Sequence, residues 1–515
     1  MRLVISVCVG LFFSMLSHFA IAVTYDVVIK NGRVMDPETS FDAIANVGVL
    51  GGKIAEITTE SITGTETIDA SGHIVSPGFI DTHAHGVDPF SSKLYLLDGL
   101  TTPMDMELGA RDVDKWYRER AGKSQVNYAT TVSHTLARIH VMDGDEAGLA
   151  ANDIIDLDAA VEASQKTGRR GWSQLASKEE LDQLMAYMDK GLRQGAIGIG
   201  NITGHLKEAV TAAEQYRVQE LAGKYGRVTD VHSRFIGILP PTTGAIGIQE
   251  SLANAVALDA PLLMAHLNPH MEWEFTIPLI NTMREKVGVK VWGEVYPWGA
   301  GSGLAGSATI AEKQMRSMGM TYSDITTLDG TPWTKEMYDD KRVNHPGERF
   351  IGYMNPPEDI VKWLAMPGVT IISDGGSYKD KDNKPLAWDA PYENALGHPR
   401  GAGSRGKVLR LVRETKNMPL MEAISKMSYM HAKYLAELGG IMQFNNKGRL
   451  QKGKDADIVV FDPKTVTENS TYKLGEGALP SSGIPYVLVN GVIVVKDSVV
   501  QKVYPGKPIR FDVIN

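Results

Sequence analysis

The stretch Ile74-Val-Ser-Pro-Gly-Phe-Ile80 runs directly into Asp81-Thr-His83-Ala-His85, and this junction indicates the fold of the chain. An apolar, β-rich run ends here in two histidines that are separated by a single residue. Because residues i and i+2 of an extended strand point the same way, both imidazoles face one point. Such a pair suits a borderline-soft divalent ion such as zinc. Two solvated loop histidines are the alternative interpretation.

Similar apolar runs follow along the chain, and several of them end in a polar side chain. Val228-Thr-Asp-Val-His232 and Leu262-Leu-Met-Ala-His266 each end in one histidine, and Thr370-Ile-Ile-Ser-Asp374 ends in a carboxylate. A charged Asp374 would be costly to bury without a partner, so these groups are expected to act together. All the predicted strands end near His85, Glu107, His134, Ile202, His232, His266, Tyr296 and Asp374.

Helical patterns alternate with these strands, and the clearest begins at Ser177-Lys-Glu-Glu180, which is a capping box. Alternation between residues 76 and 444 predicts a (β/α)₈ barrel of the TIM type, with catalytic residues at the carboxyl ends of the strands. Residues 310–365 and 376–404 read as insertions. A doubly wound open sheet is the alternative, but no glycine-rich phosphate turn follows the first strand.

The two ends of the chain show short β-type runs without a helical period. Asn31-Gly32 and Asn490-Gly491 each separate two apolar runs, which is a strong hairpin signal. We expect residues 23–75 and 445–515 to pair into one small composite β-sandwich domain, because each half-sheet alone would leave exposed edges.

Residues 1–22 carry one arginine, an apolar run from Leu3 to Leu16, and the small-x-small pattern Ala20-Ile-Ala22. This pattern predicts a secretory signal peptide cleaved after Ala22, with a membrane anchor as the alternative. We therefore expect a secreted, periplasmic protein that has no membrane segment after cleavage. Cys8 is the only cysteine, so the mature chain would have neither disulfides nor a catalytic thiol.

The chain has 53 Lys+Arg against 61 Asp+Glu, a formal net charge of −8, and its sequence shows no basic run. Nucleic-acid binding needs clustered cations, so this balance argues against a nucleic-acid partner. The sequence is compatible with a homo-oligomer.

The His83-x-His85 pair, the histidines that end strands 5 and 6, and the aspartate that ends strand 8 resemble the amidohydrolase superfamily. A narrower resemblance is to its D-aminoacylase branch, whose members are N-acyl-D-amino-acid deacylases. The stretches that carry this second resemblance are Pro77–His83, Gly195–Gly198, Glu294–Pro297, His398–Arg400 and Gly453–Asp462.

The resemblance implies that His83 and His85 hold one metal ion, that His232 and His266 hold a second, and that Asp374 touches metal and water. The superfamily's bridging lysine on strand 4 and the branch's cysteine on strand 2 are both absent here. We assign the bridge to Glu107, because a carboxylate can join two divalent ions. Asp105 is the alternative bridge, and a third interpretation is that both carboxylates only form the polar rim of the pocket.

The resemblance also implies substrate contacts, with departures. Asn268 stands where the branch usually has a lysine, and His205 stands where it usually has a tyrosine. Arg400 and Tyr296 remain to bind a substrate carboxylate, and a guanidinium does so bidentately. The predicted substrate-binding residues are Arg400, Tyr296, Asn268 and His134.

These expectations describe a metal-dependent hydrolase of linear amides, with one or two zinc ions and N-acyl-D-amino acids as substrates. Asp374 is expected to act as general base and acid, and Tyr296 or His205 to help hold the oxyanion. A cyclic-amide or small-dipeptide hydrolase is the alternative among enzymes. An exported binding protein with a degenerate site is the alternative outside them.

Overall fold

The computed structural model describes residues 23–86, 88–144 and 157–514, apart from the side chain of Lys166. The predicted signal peptide, with Cys8, lies outside these residues. Within the described ranges, every helix is too short or too polar to cross a membrane.

The secondary structure alternates strands and helices through the middle of the chain and is almost purely β at both ends. The strands are β1 (Thr24–Asp36), β2 (Phe41–Leu50), β3 (Lys53–Thr58), β4 (Thr63–Asp69), β5 (Ile74–Pro77), β6 (Phe79–Asp81), β7 (Leu100–Ala110), β8 (Ala129–Ser133), β9 (Gly198–Asn201), β10 (Val228–Val231), β11 (Leu262–Met264), β12 (Val291–Val295), β13 (Ala300–Leu304), β14 (Ile325–Thr326), β15 (Arg349–Tyr353), β16 (Val369–Ile371), β17 (Ile458–Phe461), β18 (Tyr486–Val489), β19 (Val492–Lys496) and β20 (Val499–Val500).

The helices lie mostly between the strands of the middle region. They are α1 (Pro89–Leu97), α2 (Val113–Arg120), α3 (His134–Asp143), α4 (Leu157–Ala163), α5 (Arg170–Ser173), α6 (Lys178–Arg193), α7 (Ala212–Lys224), α8 (Gly244–Leu258), α9 (Trp273–Thr282), α10 (Glu312–Ser317), α11 (Lys335–Asn344), α12 (Ile360–Ala365), α13 (Arg400–Thr415), α14 (Leu420–Met427) and α15 (Tyr429–Glu437). Short 3₁₀ turns occur at Ser164–Thr167, Asn268–His270, Ala308–Ile310, Tyr322–Asp324, Pro357–Asp359, Tyr392–Asn394 and Met442–Asn446, and a π-helical turn at Met283–Val287.

Eight parallel strands form the barrel, in the order β16-β12-β11-β10-β9-β8-β7-β6. This order confirms the predicted barrel and excludes the doubly wound sheet, whose strand order reverses at a switch point. The predicted capping box is also present at the start of α6, where Ser177 and Glu180 exchange side-chain bonds to each other's backbone amides.

The barrel closes through residues just beyond the strands β6 and β16. The amide of Asp374 donates to the carbonyl of His83 at 2.9 Å, and the amide of His85 donates to the carbonyl of Gly375 at 2.8 Å. The carboxylate of Asp81 reinforces the junction by accepting from the amide of Ser373 at 3.0 Å. The seam of the barrel therefore passes through three predicted metal ligands, His83, His85 and Asp374.

A nine-stranded sheet joins the two ends of the chain, in the order β20-β19-β18-β17-β5-β1-β2-β3 with β4 against β1. Its apolar side forms a core of its own, which includes Val27, Val47, Ile458 and Leu488. The β-domain built from both chain ends is thus present as expected from the two β-type terminal regions.

Two local predictions are wrong in detail. The run Ile74–Ile80 is not one strand, because β5 belongs to the nine-stranded sheet and β6 to the barrel. Pro77 lacks an amide, and a Cβ at Gly78 would lie 2.3 Å from Oγ1 of Thr101, so the chain crosses between the two sheets at this point. Asn31-Gly32 is not a hairpin turn but an irregularity within β1, where the register with β2 shifts.

The predicted insertion at 310–365 has structure of its own. Its strands β14 and β15 form a small antiparallel sheet with β13, which precedes the insertion, in the order β13-β15-β14. Residues of this sheet, including Ser302 and Phe350, share a cavity with His232 and His266. The insertion therefore covers the carboxyl ends of the barrel strands.

Candidate metal centre and active site

His83 and His85 leave β6 on the same side, as the alternation of a strand predicts. Their Nε2 atoms lie 3.1 Å apart. Behind them, Nδ1 of His83 donates to Glu294 at 2.6 Å, and Nδ1 of His85 donates to Asp105 at 2.8 Å. Because each Nδ1 carries its proton toward a carboxylate, both Nε2 lone pairs face the same point.

Glu107 lies between the two pairs of histidines. Its Oε2 is 3.1 Å from Nε2 of His83, and its Oε1 is 2.9 Å from Nδ1 of His232 and 3.2 Å from Nε2 of His266. The residue sits within β7, at an irregular pairing with β8 that spans Asp105 to Ala110. This geometry suits a bridging carboxylate, whereas Asp105 faces the rear of the His85 ring.

His232 and His266 follow β10 and β11 directly, and their ring centroids are 4.5 Å apart. A Cβ at Gly204 would lie 2.2 Å from Cδ2 of His232, so glycine is needed there to leave room for the ring. Nε2 of His232 and Nδ1 of His266 are buried and have no hydrogen-bond partner among the described residues.

Asp374 follows β16 and completes the cluster from the strand next to β6. Its Oδ1 is 3.5 Å from Nε2 of His83 and 3.4 Å from Nε2 of His85. Its backbone has a φ of 54°, a left-handed conformation that is strained for a residue other than glycine and typical of functional sites. Its Oδ2 is 2.7 Å from Nη1 of Arg400.

The electrostatics of this cluster fit a divalent cation. Burial alone would lower the pKa of His83, but the charges of Glu107 and Asp374 outweigh it and raise that pKa well above its usual range. Two carboxylates that face buried imidazoles therefore require a positive charge at this point. Among the described residues, four overlapping groups can supply three ligand atoms each: His83–His266–Asp374, His83–His85–Glu107, Glu107–His232–His266 and His83–Asp230–Glu294.

Tyr296, His205 and Arg400 line the cavity above the histidines, as predicted from the sequence. Burial raises the pKa of the Tyr296 hydroxyl, so it stays protonated and can donate a hydrogen bond. Burial and the neighbouring His232 lower the pKa of His205 well below its usual range, so this imidazole is neutral. The guanidinium carbon of Arg400 lies 5.3 Å from the ring centroid of Tyr296.

Two predicted substrate-binding residues lie elsewhere. His134 is the first residue of α3 and is fully buried. Its Nε2 lies 2.8 Å from Oε1 of Glu214, so the side chain is part of the barrel wall and does not line the cavity. Asn268 is buried in a 3₁₀ turn, where its Oδ1 accepts from the amide of Tyr296 at 3.1 Å. Asn268 therefore supports the backbone of Tyr296, because a short turn directs its side chain toward β12.

Sequence reasoning missed two kinds of functional residue. Glu294 orients His83 from β12, and it lies two residues before Tyr296, which follows the end of that strand. Met318, Phe350 and Met354 come from the insertion and form the apolar wall of the cavity. These residues are far from the barrel motifs in the sequence, and no sequence pattern indicated this role.

Known proteins resemble the chain over nearly its whole length. A D-aminoacylase from Alcaligenes xylosoxydans xylosoxydans is 24% identical, over 94% of this chain and 97% of the relative. An N-acyl-D-aspartate deacylase from the same organism is 26% identical, over 90% of this chain and 91% of the relative. These full-length relatives are members of the D-aminoacylase branch of the amidohydrolase superfamily, and the chain is similar to them.

The fold of this chain is similar to that of a solved deacylase structure. The N-acyl-D-glutamate deacylase from Bordetella bronchiseptica, determined with zinc and a phosphonate mimic of its tetrahedral intermediate, has a TM-score of 0.73. It is 23% identical and covers 95% of this chain and 100% of that chain. No family-wide sequence profile matches the chain.

Proposed function

We propose that this enzyme hydrolyses the amide bond of N-acyl-D-amino acids with the help of zinc. The observation that carries the proposal is the convergence of His83, His85, Glu107, His232, His266 and Asp374 on one buried point. The names of the full-length relatives, a D-aminoacylase and an N-acyl-D-aspartate deacylase, support the substrate class.

The ligand atoms divide into two groups that share Glu107. His83 and His85 would hold one ion, and His232 and His266 a second. When bound, a divalent metal supplies a Lewis acid for the scissile carbonyl and lowers the pKa of a water molecule.

Asp374 is the group that moves protons. Burial alone would raise its pKa, but Arg400 and His83 outweigh burial and keep the pKa below its usual range. The carboxylate is therefore ionised before the reaction and can accept the proton of the attacking water. It then delivers that proton to the amine that leaves, which completes the hydrolysis.

Arg400 and Tyr296 hold the rest of the substrate. The Arg400 guanidinium is buried, so its charge is well suited to bind the α-carboxylate of an acylated amino acid. The Tyr296 hydroxyl donates to the oxygen that becomes negatively charged during attack. Neutral His205, whose Nδ1 lies 2.9 Å from Oγ of Ser307, is available to assist it.

The apolar wall of Met318, Phe350 and Met354 suits the acyl chain or an apolar side chain. The enclosed space over the histidines is small, with adjoining volumes of about 40 and 60 Å³. Small-molecule sites usually measure about 300–1,000 Å³. Side chains of the insertion must therefore move aside when substrate enters.

The test is amine release from matched N-acyl-D- and N-acyl-L-amino acids, measured with added zinc and again with chelator. Zinc-dependent turnover of the D substrates alone is the expected result. Turnover of the L substrates at equal rates would contradict the handedness. Turnover of neither set, with the metal shown to be bound, would overturn the substrate class.

Export belongs to the same proposal, because the pattern of residues 1–22 is that of a signal peptide. Mass determination of the protein from a periplasmic fraction would identify its first residue, and Val23 is the expected one. A first residue of Met1 would contradict cleavage.

A further inference from the structure

A second cavity of about 590 Å³ lies outside the metal centre. It is bounded by the end of α2, the start of α1, and two later segments that carry Trp388 and Tyr504. It shares no lining residue with the spaces over the histidines. Its volume is within the range of about 300–1,000 Å³ that is usual for small-molecule sites.

Arg120 gives this cavity a positive charge without a counter-ion. Its guanidinium carbon lies 3.9 Å from the ring centroid of Trp116, and its Nη1 donates to the Trp116 carbonyl at 3.1 Å. No carboxylate of the described residues forms an ion pair with it. Burial lowers the pKa of Arg120 to about 10, so the group remains charged at neutral pH.

A second cation, Lys123, also lines the cavity. Two more lie near its wall, because the Nζ atoms of Lys93 and Lys502 are 5.3 and 4.8 Å from the ring centroid of Trp388, and the charge of Asp389 acts on Lys93. The two lining cations, Arg120 and Lys123, favour a negatively charged ligand.

The two carboxylates that line the cavity do not cancel this charge. Asp105 is engaged by Nδ1 of His85 at 2.8 Å and by the amide of Leu108 at 2.9 Å. Glu119 is 43% exposed, and its charge acts on Arg120 without a direct ion pair between them. No carboxylate of the described residues therefore contacts the Arg120 guanidinium directly.

Aromatic side chains form the walls. Trp116, Tyr128, Trp388 and Tyr504 all line the space, and Tyr504 is 52% exposed. Nε1 of Trp116 is buried and has no hydrogen-bond partner among the described residues, so it offers a free donor. Flat aromatic walls bind a flat apolar body by stacking, which complements a charged head group.

We propose that this cavity binds a small aromatic carboxylate, with its carboxylate on Arg120 and its ring against Trp388. This site is independent of the proposed reaction. It touches the metal centre only through Asp105, which holds His85 from behind.

Isothermal titration of the purified holoenzyme with 3-phenylpropionate tests the proposal, with 3-phenylpropionamide as the uncharged control ligand. The carboxylate should bind at least about tenfold more tightly than the amide, the usual effect of a charge-assisted hydrogen bond. Absence of binding by the wild-type protein at millimolar ligand would overturn the proposal.

Variants locate the bound ligand. Arg120→Gln and Trp388→Ala should each weaken binding about tenfold or more, whereas Arg118→Gln should not. Arg118 is the matched control, because it lies on the same helix and is 68% exposed. Trp388 lies in a surface segment outside the helices and strands, so this second variant keeps the test valid if Arg120→Gln fails to fold.

The metal-site cavity also contains an arginine, so one more variant is needed. Arg400→Gln should bind 3-phenylpropionate as tightly as the wild type does. Loss of binding in this variant, with binding intact in Arg120→Gln, would place the ligand over the histidines and overturn the proposal.

Discussion

Nη1 of Arg400 lies 2.7 Å from Oδ2 of Asp374, so the residue expected to bind the substrate carboxylate is paired with the residue expected to move protons. The α-carboxylate of an acylated amino acid lies only two bonds from its amide nitrogen. The short distance between these two side chains therefore suits N-acyl α-amino acids, whose carboxylate is close to the amide that is cleaved, better than longer peptides.

Arg400→Gln should raise the KM for N-acyl-D-amino acids by about tenfold or more, because a buried carboxylate contact is lost. Initial rates over a range of substrate concentrations measure this effect. The corresponding amino-acid amides, which lack the carboxylate, serve as control substrates and should be affected much less. An unchanged KM for the acids would remove Arg400 from substrate binding.

Asp374→Asn should keep bound metal and lower kcat by more than about 100-fold, the usual effect of removing an acid–base group. Steady-state kinetics and elemental analysis of the same preparation separate the two quantities. Wild-type turnover in this variant would exclude Asp374 from the mechanism.

Glu107→Ala should lower the number of metal ions bound per chain, because the carboxylate lies between both pairs of histidines. Elemental analysis after dialysis measures this number, with the exposed Glu119→Ala as a control. Retention of the wild-type metal content would assign the bridge to Asp105.

Glu294→Gln and Asp105→Asn should each weaken metal binding by about 10–100-fold, because each carboxylate fixes the proton of a ligand histidine. Competition with a chelator measures the affinity. Equal affinities in wild type and both variants would show that the histidines are oriented without these partners.

Asp98 should make stability depend on pH between about 4 and 6. Burial raises its pKa to about 6, although Arg405 opposes this, so the folded state binds the proton more tightly than the unfolded state. The wild type should therefore lose roughly 3 kcal/mol relative to Asp98→Asn as pH rises from 4 to 7. Urea unfolding at both pH values measures the difference, and a difference that is constant with pH would contradict it.

The barrel and the clustering of these histidines could be predicted because they depend on local patterns. Histidines two residues apart on a strand must point the same way, whatever the rest of the chain does. A histidine that directly follows β10 or β11 can also be placed from the sequence, because all parallel strands of a barrel have their carboxyl ends at one face.

What could not be predicted depends on contacts distant in sequence. Asn490-Gly491 makes the hairpin between β18 and β19, whereas Asn31-Gly32 lies within β1, because β1 pairs with β2, β4 and β5 on both of its edges. The position of His134 likewise depends on Glu214, which is 80 residues away along the chain.

The hydrogen bond from the amide of Asp374 to the carbonyl of His83 has a consequence for the scaffold itself. In this barrel the first and last strands meet at the residues that would hold the metal. A cation held by both His83 and Asp374 would cross-link these two strands from inside the barrel. Metal binding would then stabilise the closed barrel as well as prepare the site for catalysis.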